Sequence, residues 1–153
     1  MNQWSHRVVI LMVLVLIGCS GEKVVSPETL METDRAFARM AAEEGRVTAF
    51  LAFMDEEAVI YPHQGEPVRG MISFKTLNEG SERGDFVFLS EPTFAMIAKS
   101  GELGYTLGEY KLVGNEPGNG EILQRGFYCT IWKKQADGFW KFVFDGGNEN
   151  PLD

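Results

Sequence analysis

Histidine and cysteine are scarce in this chain, two of each among 153 residues. Beyond residue 19 only His63 and Cys129 remain, and one of each cannot furnish the three or four His/Cys ligands of a zinc site. No metal ion and no cofactor is called for. Two cysteines build no disulfide framework. Basic residues are also in the minority, 14 Lys and Arg against 22 Asp and Glu, a net charge of −8. Such a surface repels phosphate backbones and no basic stripe offsets it, which argues against nucleic acid as a partner. The acidity speaks to solubility rather than to fold. There is no Gly-x-Ser-x-Gly elbow for a hydrolase nucleophile. The glycine-rich stretch Gly114 to Gly120 lies between two strand patterns. It lacks the lysine and Ser/Thr of a phosphate-binding loop, so it reads as a hairpin turn. The longest apolar run, Val8 to Ile17, has ten residues, half of the roughly 20 that a membrane-spanning helix needs.

That run has a different use. It follows one basic residue, Arg7, and leads to small residues, the arrangement of a secretory signal. Leu16-Ile17-Gly18-Cys19 resembles the lipobox of bacterial lipoproteins. The resemblance implies cleavage before Cys19 and acylation of that cysteine, with the chain held to a membrane facing the periplasm or exterior. Ser20 stands where an aspartate favours inner-membrane retention, so the expected destination in a Gram-negative source is the outer membrane. Residues 1–18 then form the signal and 19–26 a lipidated tether. The remaining 135 residues carry 13 basic and 22 acidic side chains, a net −9.

Ser26-Pro27-Glu28 is a helix start: serine caps free N–H groups, proline suits the first turn, and glutamate meets the dipole. Leu30, Phe37 and Met40, with Met31 and Ala41, recur at helical spacing until Gly45. A second helical stripe, Val47, Phe50 and Leu51, runs from Arg46 to about Met54, ended by Asp55-Glu56-Glu57. Ala58 to Tyr61 reads as a short strand stopped by Pro62, and Gly70 opens a third helix to about Asn78. From Phe86 onward, β-branched and aromatic segments predict strands over 86–89, 93–98, 103–113, 122–134 and 139–144, separated by turn residues. Helices first and an antiparallel meander afterwards predict an α+β domain, a curved sheet on about three helices.

The order of elements and five segments carry a resemblance. The segments are Ala58 to Tyr61; Glu66 to Gly70; Gly104 to Tyr110; Gly126 to Lys134; and Asp137 to Asp145. Together they are similar to the secreted SnoaL-like branch of the nuclear transport factor 2 / ketosteroid isomerase-like superfamily. The likeness covers residues 27–148 and leaves 149–153 as a tail. It implies a cone-shaped domain enclosing a pocket, and a homodimer through the outer sheet face as an option. Ketosteroid isomerases carry an aspartate base where this chain has Tyr61 before Pro62, and tyrosine, with a pKa near 10, is a poor base at neutral pH. SnoaL-like cyclases use an acidic group near the last strand, where Asp145 stands.

Candidate site residues follow, each with a plain alternative. His63 titrates near neutral pH and sits near the expected pocket rim; the alternative is a solvated loop histidine. Alternation puts Phe139, Lys141, Val143 and Asp145 on one strand face and Trp140, Phe142 and Phe144 on the other. An inward Asp145 would have a raised pKa and carry protons; a turn residue before Gly146-Gly147 is the alternative. Tyr105 and Glu109 share a face and either orient a ligand or form an outward polar ladder. Tyr128 and Trp132 share another face with Gln124, and are ligand contacts or core. Asp34-Arg35 reads as a solvated helical pair, and Cys129 as a buried structural thiol.

Three functions stand open. The preferred one is a pocket for a small apolar or amphipathic molecule, contacted by Tyr61, His63, Tyr105 and Asp145. The second is a metal-free isomerase- or cyclase-like enzyme with Asp145 as acid/base and Tyr61 or His63 stabilising an oxyanion. The third is a protein-interaction module.

Overall fold

The structure is a computed structural model and describes residues 26–62, 65–80, 86–114 and 120–151. Helix α1 (Pro27–Glu44) begins where the Ser26 side chain accepts from the Thr29 N–H and Pro27 fills the first turn. Its buried stripe, Leu30, Asp34, Phe37 and Ala41, follows the helical period. Gly45, with φ +96°, breaks the helix in a conformation that side chains rarely adopt. Helix α2 (Arg46–Phe53) follows directly, and α3 (Met71–Leu77) comes later. The helical layer is therefore one long helix and two short ones, rather than three alike.

The sheet has six strands: β1 (Met54–Tyr61), β2 (Val68–Arg69), β3 (Phe86–Ile97), β4 (Leu103–Gly114), β5 (Ile122–Lys134) and β6 (Trp140–Asn150), in the order β2-β1-β6-β5-β4-β3. All neighbours are antiparallel except β1 and β6. Asp55-Glu56-Glu57, expected to end a helix, lies inside β1. The expected strands over 86–89 and 93–98 are a single strand, β3, interrupted by one extra residue. Pro92 pairs with Gly108 and Phe94 with Leu107, so Thr93 is a bulge, its hydroxyl donating to the Leu107 carbonyl at 3.2 Å. A strand proline is tolerated here because β3 is an edge strand. Leu123 in β5 and Val143 in β6 are further single-residue bulges. Each bends its strand, and together they curl the sheet around α1 and α2.

Inner-face side chains meet the helices in one chain of rings. Phe37 lies edge-on to Phe50 at 5.2 Å, Phe50 to Phe142 at 5.5 Å, and Phe142 to Trp132 at 6.1 Å. Each such ring contributes roughly 1.5–3 kcal/mol by leaving water, with edge-to-face geometry adding about 0.5–1.5 kcal/mol per pair. The packing is not complete, however: between helices α1 and α2 and the inner face of the sheet it leaves a hollow.

Candidate functional site

The hollow is a cavity of about 220 Å³. Helices α1 and α2 give it Phe37, Phe50 and Arg46, and strand β1 gives Ile60 and Tyr61. The inner faces of β3, β4 and β5 add Phe88, Ser90, Tyr110, Tyr128 and Thr130, and β6 adds Asp145. Its walls are chiefly aromatic, with polar groups at a few points. Two inner-face glycines make room for the tyrosines. A Cβ at Gly108 would fall 2.5 Å from the Tyr128 ring, and one at Gly126 would fall 2.6 Å from Tyr110. Tyr110 stacks on Phe88, and its hydroxyl accepts from Gln124 at 2.9 Å.

Asp145 reaches the cavity because of the Val143 bulge. Ile131 pairs with Phe144 but Trp132 pairs with Phe142, so strict alternation fails at residue 143. Asp145, paired with Thr130, consequently shares the inner face with Trp140 and Phe142 instead of opposing them. Its carboxylate accepts from the Thr130 hydroxyl at 2.7 Å. By surface area it is only half-buried, yet it lines the cavity rather than the outer surface. Burial pushes its carboxyl up to about 6, against the Thr130 hydrogen bond and the positive charge of Arg46, which both favour the ionised form.

A second carboxyl sits behind the wall. Asp34 is 1% exposed, accepts the Tyr128 hydroxyl at 3.1 Å and is also bonded by Thr106, which accepts the Trp132 indole N–H at 2.9 Å. Burial raises Asp34 to about 6; the Thr106 and Tyr128 bonds oppose this, while the charges of Asp145 and Glu91 add to it. The Tyr128 hydroxyl is pushed up in turn, by burial and by Asp34. Asp34 is thus not half of a solvated pair. Arg35 binds Glu28, Glu32 and Glu91 on the helix's outer side, while Asp34 falls on the stripe of Leu30 and Phe37. That stripe was the signal in the sequence: four after Leu30 and three before Phe37 is a core position.

Arg46 opens α2 at the cavity wall. Its Nη2 donates to Asn78 Oδ1 at 3.3 Å and its guanidinium lies 5.4 Å from the Phe50 ring centroid. Burial lowers its pKa and Asp145 counters that shift; arginine keeps its charge at neutral pH. The Ser90 hydroxyl, also on the wall, is buried and has no hydrogen-bond partner among the described residues. Nothing in the local sequence marks Arg46 or Ser90.

Of the other expected site residues, Tyr61 and Tyr128 line the cavity. Trp132 is core, bonded to Thr106. Tyr105 and Glu109 do not reach the cavity. Gly104, Thr106, Gly108 and Tyr110 take the inner face of β4, so alternation turns Tyr105 and Glu109 outward. Cys129 is likewise on the outer face, half-buried, beside Leu107 and Gly146. His63 and Cys19 lie outside the described residues. Among the described residues no three His, Cys, Asp or Glu side chains gather as a metal site.

One long and two short helices on a bulged, curled sheet around an aromatic cavity define a nuclear transport factor 2-like α+β fold. Solved structures agree. An NTF2-like protein with a cystatin-like fold from Novosphingobium aromaticivorans has a TM-score of 0.67 at 11% identity, covering 82% of each chain. A ketosteroid isomerase-like protein from Erwinia carotovora has a TM-score of 0.65 at 12% identity, covering 86% of this chain and 99% of that one. A protein from Catenulispora acidiphila in complex with S-DNPA has a TM-score of 0.62 at 13% identity, covering 78% and 90%. No protein-family model and no curated protein matches the chain. Identities this low establish the fold and leave the chemistry to the site.

Proposed function

We propose that this chain is a lipid-anchored protein outside the cytoplasm that binds a small, largely apolar molecule in the cavity between α1, α2 and the sheet. The observation that carries the binding is the cavity itself, aromatic on most sides with a few converging polar groups, the usual make-up of a small-molecule site. The unpartnered Ser90 hydroxyl supports it, because a buried hydroxyl without a bond costs about 1–3 kcal/mol that a guest could relieve. A fold neighbour solved in complex with S-DNPA supports the reading.

A second reading is favoured by Asp145. A cavity carboxyl raised to about 6 holds both protonation states between about pH 5 and 7, as an acid/base group requires. The enzyme would use Asp145 to accept and return a proton, with no metal. Anchoring is read from the Leu16 to Cys19 box.

Native mass spectrometry of the protein purified from its own host tests the binding. A retained mass is expected in the wild type and lost in Ser90→Phe, which fills the cavity. A wild-type protein that is always empty rejects the binding reading and leaves an interaction module, with the exposed outer residues Phe94 and Phe127 as its surface. Once a ligand is known, Asp145→Asn separates the readings: turnover vanishes if Asp145 moves a proton. Incorporation of labelled palmitate, abolished in Cys19→Ser, tests the anchor.

A further inference from the structure

The chemistry of the cavity's charged pole narrows the guest. Arg46 lines the wall with one N–H given to Asn78 and one flank against Phe50. Its Nε and Nη1 groups meet no acceptor among the described residues, and the ion pairs found there all belong to Arg35. The carboxylate whose charge acts on Arg46, Asp145, is already bonded to Thr130, and the two make no ion pair among the described residues. A half-buried guanidinium at a cavity wall, with its fork unfilled, is best met by a planar, two-oxygen anion. We propose that the cavity is built for a small aromatic monocarboxylate, its carboxylate held by Arg46 and its ring set among Phe37, Phe50 and Phe88. This deepens the reading that the cavity binds a small molecule and rests on it.

Size and charge agree. A cavity of about 150 Å³ holds benzene, so 220 Å³ takes one ring and a head of a few atoms. An ammonium head would have to share the pole with the guanidinium. A neutral amide offers the fork one acceptor oxygen beside an NH2 donor, and so neither fills it nor supplies the missing charge.

Binding is expected to carry a proton with it. The carboxylate arrives beside Asp145, whose own charge is already opposed by burial. The groups that act on Asp145 are Thr130 from β5, Arg46 from α2 and, through space, Asp34 from α1. Tyr128 and Cys129 on β5 also feel its charge, and Tyr61 on β1 pairs beside it. Only Arg46 is cationic among these. With the guest's negative charge added, Asp145 is bound in its neutral form, and affinity falls as pH rises past about 6.

Calorimetric titration with phenylacetate, phenylacetamide and phenethylammonium at pH 5.5 and 7.5 tests the proposal. Phenylacetate should bind best at pH 5.5 and weaken roughly tenfold or more at pH 7.5, taking up close to one proton at pH 7.5 but only about a quarter of one at pH 5.5, where Asp145 is already mostly neutral. Arg46→Gln should lower the preference for phenylacetate over phenylacetamide about tenfold. Arg46→Lys, which keeps the charge but loses the fork, should fall between. Should Arg46→Gln fail to fold, as circular dichroism would show, Arg46→Lys and the wild-type proton count decide. Binding of the amide or the ammonium in preference to phenylacetate overturns the proposal and leaves the small-molecule reading standing. So does phenylacetate binding that ignores pH and the arginine variants. If none of the three binds, the carboxylate proposal is lost, and only an empty native mass spectrum removes the reading beneath it.

Discussion

The Tyr128 hydroxyl donates to Asp34 Oδ2 across 3.1 Å, and that bond ties the middle of β5 to the middle of α1 just behind the cavity wall. Replacing Tyr128 by Phe leaves a buried carboxyl one donor short. Chemical denaturation at pH 7 should show a loss of about 1–3 kcal/mol. Asp34 itself should titrate higher still, since the bond it loses favours its ionised form, as carboxyl-carbon NMR can follow.

Stability should depend on pH with a definite sign. Asp34 is raised from its ordinary value to about 6 in the folded state, and so is Asp145. Between about pH 4 and 6 the folded protein therefore holds more protons than the unfolded chain. The stabilisation from these groups is complete below about pH 4 and is lost as pH rises through about 6. Urea midpoints between pH 4.5 and 7 should decline with pH, and Asp34→Asn should flatten that slope. An unchanged slope in that variant would show that Asp34 is not the titrating group.

Gly108→Ala sets a new Cβ 2.4 Å from the Glu91 carbonyl oxygen and 2.5 Å from the Tyr128 ring. Overpacking of this kind costs about 1–3 kcal/mol and should displace the Tyr128 ring, visible in its NMR shifts. Gly120→Ala, with nothing within 4 Å of the added carbon, should stay within about 0.5 kcal/mol of wild type.

Phe142, 1% exposed, joins Phe50 to Trp132 at the centre of the ring chain. Phe142→Ala should cost about 3–5 kcal/mol, a large part of the roughly 5–15 kcal/mol that holds a domain folded. A thermal melt should show a steep fall in midpoint or no cooperative transition.

The elements were legible where local patterning decides them. Ser26-Pro27 and Gly45 bracket α1, and alternation along β4 separates its two faces but left open which of them takes Tyr105 and Glu109, offered as ligand contacts and found facing away. The reading failed where the partner strand sets the geometry. Nothing near Val143 shows that its neighbour strand skips a residue there, yet that skip aims Asp145 inward. The gap left at Ser90-Glu91-Pro92 hid the unity of β3, whose continuous pairing with β4 is set by the partner strand. Asp34 was legible by position on the apolar stripe, but charge next to Arg35 suggested solvent; only Tyr128 and Thr106, remote in sequence, make its burial tolerable. Arg46 and Ser90 matter through what they face, which no local spacing encodes.

The parallel ladder between β1 and β6 joins Ile60 to Asp145, partners 85 positions apart along the chain. Such distant pairings form late, after shorter loops have closed. Until β6 docks, β1 has only the two-residue β2 beside it and the hollow lacks the wall that bears its carboxylate. A chain caught before that step offers helices and hairpins without a receptacle, so ligand capture reports on the completed domain and on nothing earlier.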